Sequence, residues 1–72
     1  MNRLKKLEKY ASDYYTNTNV EHSENFESLY RIIVPEIDAK FLLGLGQFGL
    51  HLTKIRPTQD GRITISMVVD DE

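Results

Sequence analysis

The feature that most constrains the fold is a pair of alternating runs in the last third of the chain. Apolar residues alternate with small or polar ones in both runs: Phe48, Leu50 and Leu52 in the first, and Ile63, Ile65, Met67 and Val69 in the second. A period of two residues is that of a β-strand with one buried face. Residues 57–61, between the runs, end in Asp-Gly, which favours a tight turn. The sequence therefore predicts strands over 48–56 and 62–69, paired as an antiparallel hairpin whose inward residues are Leu50, Leu52, Ile63 and Ile65.

Helical periodicity marks the start of the chain. Apolar residues recur there at intervals of three and four, with lysines between them: Leu4, Leu7, Tyr10, Ala11 and Tyr14. This spacing is typical of an amphipathic helix, which we predict over 3–15. Residues 16–19 have hydroxyl and amide side chains that compete with the backbone for hydrogen bonds, so the helix should give way to a loop there.

The next segment has two interpretations. Ser23 can cap a helix over 24–33, whose apolar residues recur at helical spacing, and Pro35 must end such a helix. The β-branched run at 32–34 suits a strand equally well, so the same segment could become a strand from about Leu29. We predict the helix and keep the strand as the alternative.

A short third helix is predicted over 36–43, with Gly44 as its left-handed stop. The predicted fold class is therefore α+β, with two or three short helices packed on one face of a C-terminal antiparallel β-hairpin or small sheet. A chain of 72 residues has room for one domain, which we place at 1–72 with an acidic tail at 70–72.

The small core has no covalent support. The chain contains no cysteine, so neither a disulfide nor a thiolate metal site can stabilise it. We therefore expect a homodimer, since oligomerisation is the commonest remaining support. No apolar run has the roughly 18 residues of a membrane span, and residues 1–9 are charged, unlike a leader. These features predict a cytoplasmic protein with no membrane association.

The motifs that suggest catalysis lack their required context. Residues 44–49 (GLGQFG) match G-x-G-x-x-G and look like the glycine-rich loop of protein kinases. A dinucleotide site needs a helix after that motif, whereas a strand is predicted here, and a kinase needs catalytic residues spread over far more chain. The positions of His22 and His51 in the sequence do not match the spacing of a catalytic pair or of a tetrahedral metal site. We therefore predict that the protein is not an enzyme and needs neither cofactor nor metal, and that the glycines permit a bend into the first predicted strand.

Residues 54–62 (KIRPTQDGR) resemble the wing of the multiple-antibiotic-resistance type repressors. Together with the order of three helices and a hairpin, the resemblance implies a winged-helix transcriptional regulator in which Lys54, Arg56 and Arg62 contact DNA. The third helix would then enter the major groove, yet it carries Glu36 and Asp38 where phosphate contacts require cations. Direct DNA binding is therefore the alternative hypothesis.

The preferred hypothesis is a small regulator that binds and inhibits a host protein, of the kind that phages and mobile elements encode. A net charge of −2 is too balanced for a non-specific nucleic-acid binder. The four tyrosines exceed what so small a core can bury, and tyrosine is a favoured interface residue. The candidate partner-binding residues are Tyr14, Tyr15, Glu21, Glu24, Glu27, Glu36 and Asp38. A narrower form of the hypothesis is that this acidic face imitates DNA phosphates and occupies a DNA-binding or nucleic-acid-processing host protein.

Overall fold

The architecture is a four-stranded antiparallel sheet with two helices on one face. A computed structural model describes residues 2–69. The elements are α1 (Arg3–Tyr14), β1 (Asn19–His22), β2 (Leu29–Val34), α2 (Ala39–Leu45), a 3₁₀ turn (Gly46–Phe48), β3 (Leu50–Pro57) and β4 (Ile63–Val69). The strands lie side by side in the order β1-β2-β4-β3. The succession helix, strand, strand thus occurs twice, with β2 and β4 meeting at the centre, and the predicted α+β class is confirmed.

The first helix forms within one residue of its predicted bounds. Asn2 caps it, because its side-chain carbonyl accepts a hydrogen bond from the Lys5 amide at 2.9 Å. Its buried residues, Leu7 and Ala11, belong to the hydrophobic core. The helix ends at Tyr14, since the following residue has an extended backbone.

The helix predicted over 24–33 is wrong, and its first half is a turn. The Ser23 hydroxyl accepts hydrogen bonds from the amides of Asn25 and Phe26, each at 3.1 Å, so the expected cap holds a turn in place of a helix. The helical spacing depended on Phe26 as a core residue, whereas its side chain is 64% exposed. Tertiary pairing has overridden the local pattern.

The second half of that segment is β2, as the alternative interpretation had it. The side chains of Tyr30, Ile32 and Val34 are buried and alternate with less buried neighbours. β2 lies between β1 and β4, where β-branched side chains pack well on a pleated surface. No strand is predicted from the sequence at β1, which has four residues and only one apolar side chain, Val20.

The third predicted helix is present but displaced towards the C-terminus, at Ala39–Leu45 where 36–43 was expected. Asp38 fixes its start, because the carboxylate accepts a hydrogen bond from the Phe41 amide at 2.9 Å. Gly44 lies inside the helix, so its prediction as the left-handed stop is wrong. The left-handed glycine of this segment is Gly49, whose φ of 73° turns the chain into β3.

The predicted C-terminal hairpin is present as one half of the larger sheet. β3 and β4 pair antiparallel, from Leu50 opposite Val69 to Pro57 opposite Ile63. Phe48, expected in the first strand, belongs to the 3₁₀ turn. Of the expected inward residues, Leu50 and Ile65 are buried, whereas Leu52 is 39% exposed because β3 is an outer strand.

The core lies in a single layer between the helices and the sheet. The largest fully buried side chains are Phe41, Leu7, Ile32, Ile65, Met67 and Val34. The predicted acidic tail, 70–72, lies outside the described residues. Neither helix within residues 2–69 is long and apolar enough to span a membrane.

Candidate binding surface

One face of the sheet carries no helix. Both helices pack against the side that holds Ile32, Ile65 and Met67, so the opposite side, here called the open face, is not covered by any part of residues 2–69. Side chains alternate between the two faces of a strand, and the register therefore identifies its members. They are Asn19 and Glu21 on β1, Leu29, Arg31 and Ile33 on β2, Thr64, Ser66 and Val68 on β4, and His51, Lys54 and Arg56 on β3.

Three cations of the open face surround one shallow groove. Arg31 on β2 and Lys54 on β3 are both in register with Ser66 on β4, the strand between them. Neighbouring strands are about 4.8 Å apart, so the backbones of Arg31 and Lys54 are about 10 Å apart. Arg56 follows on β3 beside Thr64. The groove has a volume of about 330 Å³ and is lined by Arg31, Lys54, Arg56, Pro57, Thr58, Thr64 and Ser66.

A β-bulge puts two of these cations on the open face. Leu52 is opposite Met67 and Lys54 is opposite Ser66, so Thr53 is an extra residue in β3. The Thr53 hydroxyl donates a hydrogen bond to the Ser66 carbonyl at 3.2 Å. In a regular ladder Lys54 would lie on the same face as Leu52, towards the helices. The shift therefore moves Lys54 and Arg56 to the open face.

The groove cations have no ionic partner among residues 2–69. The ion pairs described for the chain lie elsewhere, at Lys9–Asp13 on α1 and at Arg62–Asp60 in the β3–β4 turn. Glu21 shares the open face and lies opposite Arg31 in register, but the two form no ion pair. Arg31, Lys54 and Arg56 are all exposed. The open face is therefore positive on a chain whose net charge is −2.

Arg62, predicted to act with Lys54 and Arg56, is engaged elsewhere. Its guanidinium donates hydrogen bonds to the Asp60 carboxylate at 3.0 Å and to the Asn17 carbonyl at 3.3 Å, and its side chain is 19% exposed. Two hydrogen bonds to the Asp60 carboxylate hold its pKa below the usual value. The one from the Thr58 hydroxyl has the larger effect, and the one from the Arg62 amide has the smaller effect. Arg62 therefore holds the β3–β4 turn against the loop between α1 and β1, and it is not part of the groove.

The candidate acidic residues do not form one cluster. Glu24 and Glu27 lie in the turn before β2, whereas Glu36 and Asp38 lie in the connection after it. The six residues of β2 separate the two pairs by about 20 Å. Asp38 also serves as the cap of α2. Glu21, on the open face, is apart from both pairs.

All four tyrosines make ring contacts within the fold, and one of them is also exposed. Tyr30 is buried and its ring stacks on the His22 ring with centroids 4.3 Å apart. Tyr10 and Tyr15 pack on Phe41, each with ring centroids 5.2 Å from it. Burial raises the pKa of Tyr15, whose hydroxyl has no hydrogen-bond partner among the described residues. The Tyr14 ring also lies with its centroid 5.2 Å from that of Phe41, but the residue is 43% exposed and is the tyrosine most accessible at the surface.

The two histidines lie apart, on different strands. The His22 Nε2 atom is 2.6 Å from the Glu27 carbonyl oxygen, so His22 closes the β1–β2 turn. His51 lies on β3 at the open face. Within residues 2–69 no three His, Cys, Asp or Glu side chains form a group that could hold a metal ion.

Comparison with known proteins does not assign this surface a role. No protein-family model, no curated protein and no solved structure matches the chain. The geometry of the surface therefore carries the functional argument.

Arg31 is the groove residue that the sequence analysis missed. Its segment was interpreted as helix, which gives Arg31 no relation to Lys54 or Arg56. A signal did exist in the strand alternative, because a strand through Tyr30 and Ile32 places Arg31 on the opposite face.

Proposed function

We propose that this protein is a small non-enzymatic regulator that docks on a protein partner through the open face of its sheet and inhibits that partner by occupying its surface. The observation that carries the proposal is a sheet face that no part of residues 2–69 covers, and that combines half-buried apolar side chains with three cations lacking an ionic partner among those residues. Sheets of globular domains usually bury one face and solvate the other with polar residues. Here Leu29, Ile33 and Val68 make the solvated face partly apolar.

A mixed apolar and charged surface is the composition of a protein interface. Apolar side chains at its centre gain free energy when water is excluded, and cations around them select the partner by charge. The proposal keeps the protein partner expected from the sequence but moves the docking surface from the acidic residues to the open face. The reason is that the acidic residues are divided between the two ends of β2.

Direct DNA binding is the second candidate, and the groove cations are the observation that favours it. Two other observations weigh against it. Arg62, the wing residue, is bound to Asp60 and Asn17. The helix that would enter the major groove has seven residues, and Asp38 stands at its start.

A pull-down from the native cell tests the proposal, with two variants of identical net charge. The first replaces the groove cations, as Arg31→Gln, Lys54→Gln and Arg56→Gln. The second, the matched control, replaces three exposed lysines of the helices, as Lys5→Gln, Lys6→Gln and Lys40→Gln. Wild type and control are expected to capture the same discrete protein in the presence of nuclease, and the groove variant is expected to lose it.

Two results would contradict the proposal. Capture that disappears on nuclease treatment would favour the DNA-binding alternative. Nuclease-resistant capture that survives in the groove variant, but is lost on reversing Glu24, Glu27, Glu36 and Asp38 to lysine, would return the docking surface to the acidic residues.

A further inference from the structure

The open face also indicates the chemistry of its partner. We infer that the groove receives an extended acidic segment of a protein, with carboxylates at alternating positions. The inference rests on the proposed function, because it specifies the partner of that same surface.

The charge of the open face favours an acidic partner. Within residues 2–69 the open face carries three cations, Arg31, Lys54 and Arg56, against one acid, Glu21. Complementary charge accelerates association and excludes partners of like charge. The two arginines can each bind a carboxylate in a bidentate manner, which is geometrically selective as well as strong. The complementary partner is therefore acidic.

The spacing of the cations along β3 matches that of alternate residues in an extended segment. Lys54 and Arg56 lie two residues apart on β3, after the bulge, and so about 6.6 Å apart on one face. Carboxylates at positions i and i+2 of an extended peptide have the same separation, because its rise per residue is the same. An extended segment lying along β3 can therefore offer one carboxylate to each cation.

The floor of the groove offers both hydroxyl groups and an apolar side chain to an acidic segment. Thr64 and Ser66 lie on β4 between the cations, and their hydroxyls can donate hydrogen bonds to carboxylate oxygens. Ile33 lies beside Thr64 in register and is half-buried. It offers apolar contact to the aliphatic part of a glutamate side chain.

The other occupants fit this surface less well. Two copies packed by these faces about a two-fold axis would bring cations against cations, because such an interface is self-complementary. The predicted homodimer would therefore have to use another surface. Single-stranded nucleic acid is bound largely by stacking on aromatic rings, and within residues 2–69 the open face has no Phe, Tyr or Trp.

The test uses a fluorescent peptide of alternating Glu and Thr, with the Gln and Thr peptide and an oligothymidylate as comparisons. Binding is measured by anisotropy at about 150 mM salt, and the site is mapped by amide chemical shifts. We expect the Glu peptide to bind and to shift amides of β3, β4 and β2 around Ser66. The groove variant should bind it about tenfold more weakly or worse, whereas the Lys5, Lys6 and Lys40 control should bind as wild type.

Each contrary result has a definite meaning. Equal binding of the Glu and Gln peptides, or Glu-peptide shifts outside the open face, would overturn the acidic partner. Tighter binding of the oligothymidylate would assign the groove to nucleic acid. Open-face shifts that depend on protein concentration alone would assign it to a second copy. The proposed function would survive the first of these results if the pull-down still showed nuclease-resistant capture that the groove variant loses.

Discussion

Gly44 on α2 is the residue against which the Tyr10 side chain of α1 packs. A Cβ atom on Gly44 would overlap the Tyr10 hydroxyl group. That hydroxyl donates a hydrogen bond to the Phe41 carbonyl at 2.9 Å. Burial is the main cause that raises the pKa of Tyr10 to about 12, and the neighbouring Tyr14 hydroxyl is the next. Because the Tyr10 ring also packs against Phe41 and Phe48, it has little room to move away. The close approach of the Tyr10 side chain to the α2 backbone, and not backbone conformation, requires this glycine.

The variant Gly44→Ala should therefore be destabilised by about 1–3 kcal/mol, the usual cost of overpacking. Its matched control is Gly46→Ala, since Gly46 has a φ of −62° and no atom near enough to contact a Cβ. That change should stabilise by up to about 1 kcal/mol, because alanine restricts the unfolded chain. Urea unfolding of both variants measures the difference, and equal effects at the two positions would refute the close contact.

Among the elements, β3 has a bulge that determines which of its side chains face the helices. Apolar side chains face the helices at Leu50 and Leu52 and again at Ile55, an interval of three residues that a regular strand cannot accommodate on one face. Because Thr53 is an extra residue in the bulge, Leu52 and Ile55 can lie on the same face of the strand. The bulge therefore allows β3 to present apolar side chains to the helices and cations on the open face.

Deletion of Thr53 should consequently be tolerated, because the shortened strand keeps Lys54 and Arg56 on the open face. The expected loss in unfolding free energy is about 1 kcal/mol, that of one hydrogen bond. Deletion of Thr64 is the control, since β4 has no extra residue and a deletion moves Ile63, or the residues after it, to the wrong face. Thermal melting should show a cooperative transition for the first deletion only. Loss of folding in both would mean that the register is not set as described.

The elements also differ in how far the sequence determines them. The C-terminal strands were predictable because β4 alternates between core residues and the polar residues Thr64 and Ser66 over most of its length. β2 was not, because as a central strand it carries apolar side chains on both faces, Leu29 and Ile33 on one and Ile32 and Val34 on the other. That pattern fits a helix as well as a strand. β1 is too short and too polar to show any period.

At the scale of the whole molecule, the sheet separates a helix-covered core from an open surface. The sequence could indicate Lys54 and Arg56 as surface cations but not their grouping with Arg31, because the grouping depends on β2 pairing with β4. The sequence also groups Arg62 with Lys54 and Arg56, because the hydrogen bond from Arg62 to Asn17 forms only when the β3–β4 turn folds against the loop between α1 and β1. Homodimerisation, expected from the small core, stays a prediction.

Site-specific photo-crosslinking in the native cell tests most directly whether the open face is the docking surface. A photoreactive residue is placed at Ser66 on the open face, and in separate variants at Ser12 on α1 and at Glu24 and Glu36 in the acidic connections. If the partner docks on the open face, Ser66 should give a nuclease-resistant adduct with one discrete protein, and the other three positions should give none. An adduct from Ser12, Glu24 or Glu36 but not from Ser66 would contradict this docking surface.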